Sequence, residues 1–487
     1  MKKSKLVEIL GTYSPSEIKT FEKFIASPYF SRGRDVSGLY SYLKSYYPGF
    51  ESKFIKKETV FFSLFPGEKY SEKKLKNLSF ELAQLAEQFL ISESLKKNYT
   101  EKAMLLAIEY KDRNKGKLFF NTLKIIEDKI AKKLFDSFDA FSMEEKILWL
   151  KQEYYIGIND YKEVISLKGK HTEYTMLSFL IKFLRALRDK EIVNSGYPGE
   201  MNTTLLDCLA EGFDIEKTIK LLKKEKFRFV WLIELYYLAY TSSKELDNEK
   251  AYFSFRKLYK ENIGNFSKRE KYYILSDFLS FCVRNQNRGK SNYQSEEMTL
   301  YKEMVRQDAF CASEDDHLNI VLFRNILFMA LSLDEDKWFE ENRSIIVNRL
   351  RPELKENAEY YAIAHLEYEK GNYEKALENI NKVKYDVFLY KIDVKNLLLK
   401  IFFELKQYDQ AFSLVDAYKH FLKSNKELSH EYKEQFLNFI IMYNKILRTT
   451  SQNKPENQDF LLSELKSIKT ISNRDWLTEK INNLKNK

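Results

Sequence analysis

Asp336-Lys337-Trp338, Gly371-Asn372-Tyr373 and Lys406-Gln407-Tyr408 each place an aromatic residue directly after a polar turn, and the aromatics fall at 338, 373 and 408, 35 residues apart each time. An interval of that length holds one helix, a tight turn and a second helix. Three residues after the last two aromatics stands Ala (Ala376, Ala411), a small side chain where paired helices must approach closely. The same grammar extends outward. In 71–95 the apolar residues Leu75, Leu78, Leu82, Leu85, Phe89 and Ile91 follow steps of mostly three and four, the period of a helix with one buried face. Capping boxes start such runs at Ser14-Pro15-Ser16-Glu17, Ser142 to Glu145, Ser267 to Glu270, Ser313 to Asp316 and Ser472 to Asp475. The expectation is about two dozen helices and no strand.

Composition agrees. Gly (14) and Pro (7) make up 21 of 487 residues, about a third of the usual ~12%, too few for the turns that sandwiches, barrels or doubly wound sheets require. The net charge of +10 is the difference of 81 basic and 71 acidic residues. It is uneven: 1–100 carries 17 basic against 11 acidic side chains, and 301–400 carries 15 against 19. Only 17 of the 81 are Arg, whereas base and phosphate recognition favours the planar Arg fork. Three Cys without a CxxC pair give no disulfide or metal framework, and no apolar run approaches the ~20 residues of a membrane span. A cytoplasmic protein without a membrane segment is expected.

Gly371-Asn372-Tyr373-Glu374-Lys375-Ala376-Leu377, with Ala364 in the preceding helix, resembles the interhelical turn of the tetratricopeptide repeat family, and Gln407-Tyr408-Asp409-Gln410-Ala411-Phe412 resembles it less closely. Glu341 and Leu399 stand where the family has a small residue, and Asn159-Asp160-Tyr161 is a weaker echo. The likeness covers roughly 317–425 and implies an all-α fold of helical hairpin repeats, a tetratricopeptide-like alpha-solenoid. Four of the seven prolines lie in the first 66 residues, marking a distinct N-terminal helical unit. The expected organisation is an N-terminal domain at 1–97, irregular hairpins at 98–312, repeats at 313–450 and capping helices at 451–487.

In that family the first helices of successive hairpins line a concave groove. Transfer by position puts Tyr361, His365, Tyr368, Asn396, Lys400 and Phe403 on the inner surface, where flat aromatics and one cation suit a peptide or a partner helix; packing on flanking helices is the competing reading. The family's carboxylate-clamp pattern is not matched. Lys217, Lys220, Lys224 and Arg228 form a candidate basic stripe for nucleic acid, against which stand a merely solvated face and the diluting Glu216 and Glu225. Gly33 to Gly38 lacks the Lys and Ser/Thr of a phosphate loop, with Arg32 and Arg34 left as a minor candidate for an acidic partner. No His pair has HExxH spacing, His171-Thr172-Glu173 lacks a downstream PCxxC, and Cys311 with Glu314, Asp315, Asp316 and His317 reads as a charged helix start. No cofactor or metal is expected. The function expected is a non-enzymatic scaffold or adaptor for a protein or peptide partner; a basic solenoid binding nucleic acid and an enzyme with an unrecognised site are the alternatives.

Overall fold

The computed structural model describes residues 4–30, 33–50, 53–132, 137–196, 201–313, 316–384, 388–425, 430–452 and 458–486. About 80% of them are helical, in 24 α-helices with no strand among the described residues. None of these helices is long and apolar enough to cross a membrane. The chain divides into two compact units, Met1–Lys133 with Asp139–Met176, and Leu134–Phe138 with Leu177–Lys487.

The first unit opens with α1 (Lys5–Gly11), α2 (Pro15–Ile25), α3 (Ser37–Lys44), α4 (Lys57–Leu64) and α5 (Glu72–Lys97). Their apolar faces close one core of residues 6–89, in which the rings of Tyr13, Phe21, Tyr40 and Phe89 meet edge to face or tilted. The buried hydroxyls are satisfied by backbone, Tyr13 donating to the Ala86 carbonyl at 2.8 Å and Tyr40 to that of Ile18 at 2.5 Å. Next come α6 (Tyr99–Asp112), α7 (Gly116–Lys132), α8 (Ser137–Gly157) and α9 (Tyr161–Gly196), whose residues from Leu177 onward belong to the second unit. Ala107, Phe119, Ile126 and Leu150 lie in a second core. There α7 and α8 approach so closely that a Cβ on Gly116 would overlap the Tyr154 hydroxyl.

The second unit continues through α10 (Thr204–Gly212), α11 (Ile215–Lys224), α12 (Val230–Lys244), α13 (Glu249–Asn262), α14 (Lys268–Asn287), α15 (Tyr293–Gln307), α16 (Ile320–Ser332), α17 (Asp336–Asn348), α18 (Pro352–Glu369), α19 (Tyr373–Ile380), α20 (Phe388–Glu404), α21 (Tyr408–Ser424), α22 (His430–Gln452), α23 (Gln458–Ser467) and α24 (Arg474–Asn482). Helices pack as sequential pairs (α12 with α13, α14 with α15, α16 with α17, α18 with α19, α20 with α21) and then on the next pair, as α12 meets α14 and α16 meets α18. That is a helical hairpin repeat, each hairpin burying its face on its neighbour.

One turn recurs through both units. Asn114, Asn159, Lys226, Gly289, Asp334, Gly371 and Lys406 all have positive φ, between 52° and 87°. In each case the next residue's N–H bonds the carbonyl five residues back: Lys115 to Tyr110, Asp160 to Tyr155, Phe227 to Leu222, Lys290 to Asn285, Glu335 to Ala330, Asn372 to Glu367 and Gln407 to Phe402, at 2.8–3.1 Å. This bond and the left-handed residue before it end the first helix and aim the chain into the second. The turns at Asp334, Gly371 and Lys406 are those before the 35-residue aromatics.

The capping boxes fare unevenly. Ser14 and Glu17 form a reciprocal box and Ser267 caps α14, but Glu270 turns inward to the Tyr236 hydroxyl instead of reaching back. Ser142 lies inside α8, and α24 starts after Asn473, with no side-chain cap bond. After Ser313, residues 314–315 lie outside the described chain, and the next helix, α16, is capped by Asn319.

A left-handed conformation costs a residue with a Cβ about 1–2 kcal/mol, part of which glycine's greater loss of backbone freedom offsets. Lys406→Gly is therefore expected to raise stability by up to about 1 kcal/mol and Gly371→Ala to lower it by about 1–2 kcal/mol. Urea midpoints at unchanged m-value measure both; the same sign for the two changes would contradict this account of the turn.

Candidate functional site

Within the second unit a cavity of about 1440 Å3 is lined by α16, α18, α20, α22 and α24. The first three are the leading helices of successive hairpins and α22 packs on α21 after them, so their facing sides form one concave surface. Its floor is organised by Asp393 on α20. Arg324 on α16 donates through Nε and Nη2 to the two Asp393 oxygens at 2.5 and 2.8 Å, and Tyr361 on α18 donates its hydroxyl to Oδ2 at 2.8 Å. Three donors on a carboxylate only 6% exposed supply what a buried charge needs to stay stable. The Arg324 guanidinium also lies 4.6 Å from the Phe328 ring centroid.

The six residues expected on the inner surface lie on α18 and α20. His365, Tyr368, Asn396 and Lys400 line the cavity. Tyr361 is fully buried behind the wall, stacked on Tyr390 at 4.2 Å. Phe403 packs edge-on against Trp476 at 5.4 Å and against Tyr443. Asn396 accepts from the Tyr418 hydroxyl at 3.1 Å. Tyr368 accepts from Trp476 Nε1 at 2.8 Å, and the Trp476 ring stacks on Tyr443. Thus α24 brings a tryptophan onto one end of the concave surface, and the aromatics at that end, Tyr368 and Phe403, are packing residues. The open rim lies at Val321 and Tyr432, which are 40% and 56% exposed.

Two groups on the wall are electrostatically unusual. His365 is 7% exposed, its Nε2 has no hydrogen-bond partner among the described residues, and burial, with Lys400 and Arg324 adding to it, pushes its pKa down to about 3, so the ring is neutral. Lys400 makes no ion pair or hydrogen bond among the described residues, and its ammonium lies 5.9 Å from the Tyr368 ring centroid. Burial lowers its pKa against the opposing pull of Glu369 and Glu479. The other cations on the lining are engaged: Arg324 with Asp393, Lys480 with Glu404 at 2.7 Å, and Arg474 with the carbonyls of Leu465 and Ile468.

Trp476, Arg324, Asp393, Glu369 and Tyr432 were not singled out from sequence. Asp393 and Glu404 were findable, since they share the three- and four-residue steps of Asn396 and Lys400 along one face. Trp476 was not, because it meets Tyr368 across 108 residues.

The other candidates are placed as follows. The helix α11 ends at Lys224, so Lys217, Lys220 and Lys224 share its exposed side while Arg228 lies beyond it, in the turn to α12 over the Phe229 ring. Lys220 is paired with Glu216. Arg34 pairs with Glu81 at 2.9 Å, and Arg32 is outside the described residues. Cys311 is buried, its thiol directed at the carbonyls of Ser313 and Asp316. No group of three or more metal-ligating side chains occurs among the described residues. No family model matches the chain, and no curated protein or solved structure is significantly similar to it.

An ammonium held without a direct counter-ion in partly dehydrated surroundings opposes folding. Its folded pKa is depressed, so the penalty is fully present below that value and vanishes as pH rises to the unfolded value of 10.5. Lys400→Met, of similar length and apolar, should therefore melt higher than the parent at pH 7, the gap narrowing as pH approaches 10.5. A lower melting temperature at pH 7 would show that Lys400 has a stabilising partner.

Proposed function

We propose that this protein is a non-enzymatic scaffold or adaptor whose C-terminal hairpins bind a protein or peptide partner in the concave cavity. The observation that carries the reading is the cavity itself, a surface assembled from the leading helices of three successive hairpins with α22 and α24, with the exposed Tyr432 ring and Val321 at its rim and polar groups on its floor. Sites of this kind suit an extended chain or a single helix, with aromatic anchors supplying most of the energy. The tetratricopeptide-like turns at Gly371 to Leu377 and Gln407 to Phe412 support the same reading, since hairpins of that family present such a surface.

The test uses rim residues, because substitutions of the packed aromatics in or behind the wall would report unfolding. Tyr368→Ala or Phe403→Ala should cost roughly 3–5 kcal/mol, as removing packed aromatics does. Tyr432→Ala with Val321→Ala should change stability by under about 0.5 kcal/mol and weaken partner capture by about tenfold or more. Capture from native lysate with nuclease present, by parent and double variant, is the measurement. Undiminished capture by a normally melting variant would move the binding surface elsewhere.

A second reading, nucleic-acid binding, is favoured by Lys217 and Lys224 on α11, exposed and without an ion pair among the described residues. It requires affinity for a generic duplex to fall steeply with salt. The expectation is weak binding that is gone near physiological salt; tight binding there, abolished by Lys217→Glu with Lys224→Glu, would rank this reading first.

A further inference from the structure

Resting on the reading of the cavity as a partner groove, we propose that the segment it receives is basic, with Lys or Arg side chains seated between the acidic end of the cavity and its aromatic walls. Charge on the lining is unevenly spent. Glu369 on α18 and Asp475 on α24 are exposed and make no ion pair among the described residues. Exposed Glu479 and half-buried Glu404 share the single cation Lys480. Asp334 and Asp336, at the turn into α17, add their charge to that around Glu369. Surrounding protein raises the Glu369 carboxyl above its ordinary range; Lys400 opposes that rise, and Asp334, Asp336 and Glu479 reinforce it.

An anionic ligand entering here would face these carboxylates, with Lys400 alone to receive it, because Arg324, Arg474 and Lys480 are already engaged. A cationic one would relieve the crowding. The walls already show how they hold cations: Lys400 lies 5.9 Å from the Tyr368 ring and Lys480 5.7 Å from the Trp476 ring, geometry in which an aromatic face attracts positive charge. The neutral His365, nine-tenths buried on the same wall with Nε2 unpartnered, adds no cation to repel such a ligand. The preference runs against the net charge of +10, which would draw acidic peptides non-specifically. Selection of basic peptides must therefore come from a local site.

The experiment titrates the full chain into three fluorescein-labelled random peptide pools of about 12 residues, ~40 Å when extended, with matched apolar content and with Lys and Arg, Asp and Glu, or Ser and Asn as the polar third. Anisotropy at about 0.05 and 0.3 M salt, where screening differs strongly, gives the affinities. The basic pool is expected to bind tightest. Glu369→Gln with Glu479→Gln should weaken it about three- to tenfold, and Lys400→Met should strengthen it. Glu153→Gln with Glu173→Gln, exposed carboxylates of the first unit, removes the same charge and should change nothing. An equal loss in that control would overturn the proposal. If the acidic or neutral pool binds tightest and Tyr432→Ala removes that binding, the groove stands and its basic specificity falls. If no pool binds, or Tyr432→Ala has no effect, the groove reading falls and this inference with it.

Discussion

The carboxylate of Asp393 holds three successive leading helices in one relation, and the concave side of the second unit depends on it. It takes Arg324 from the hairpin two places before and Tyr361 from the hairpin between. Hydrophobic faces alone would let neighbouring hairpins slide or rotate, since apolar contact is non-directional. A buried carboxylate with donors from two other helices admits one arrangement, because displacement of any helix leaves a desolvated charge without its partner. The cavity is the space this arrangement leaves between these three helices, α22 and α24, and the groups on its wall, from His365 to Lys400, are oriented by the same helices.

Among the described residues eight turns of one design, the seven above and one at Asp308 where the Ala309 N–H bonds the Met304 carbonyl, do the complementary work of ending the helices. Six of them use Asn, Asp or Lys in the left-handed conformation where glycine is the usual choice. Asn and Asp tolerate it through local hydrogen bonding, and the cost at Lys226 and Lys406 is borne by the packing of the hairpins on either side. This explains how a chain with 14 glycines makes so many tight reversals. Low glycine content correctly excluded sheet folds, yet it did not mean few turns.

Much of the fold was legible because it is periodic. Helical spacing, the 35-residue aromatics and the small residues Ala376 and Ala411 are local signals, and α18 to α21 follow them. Caps were less readable: Ser14 and Ser267 start helices, whereas the same pattern at Ser142 sits inside α8, because a box is only a local preference that longer apolar runs override. Of the candidate site, position along the repeat brought Tyr361, His365, Tyr368, Asn396, Lys400 and Phe403 onto two adjacent leading helices. It could not say which of them face space. That is decided by Trp476, far along the chain and outside any repeat, and by Asp393, whose role appears only when three helices stand together.

Because each helix of the second unit finds its main partners among its immediate neighbours in sequence, little loop entropy separates one hairpin from the next. Such a chain can nucleate at any hairpin and grow in both directions, at the fast end of the range for its length. The long-range hydrogen bond from Trp476 to Tyr368 stands outside that scheme. It can form only once the hairpins between α18 and α24 are stacked, so the closed end of the concave surface is completed after them and is lost when any of them opens.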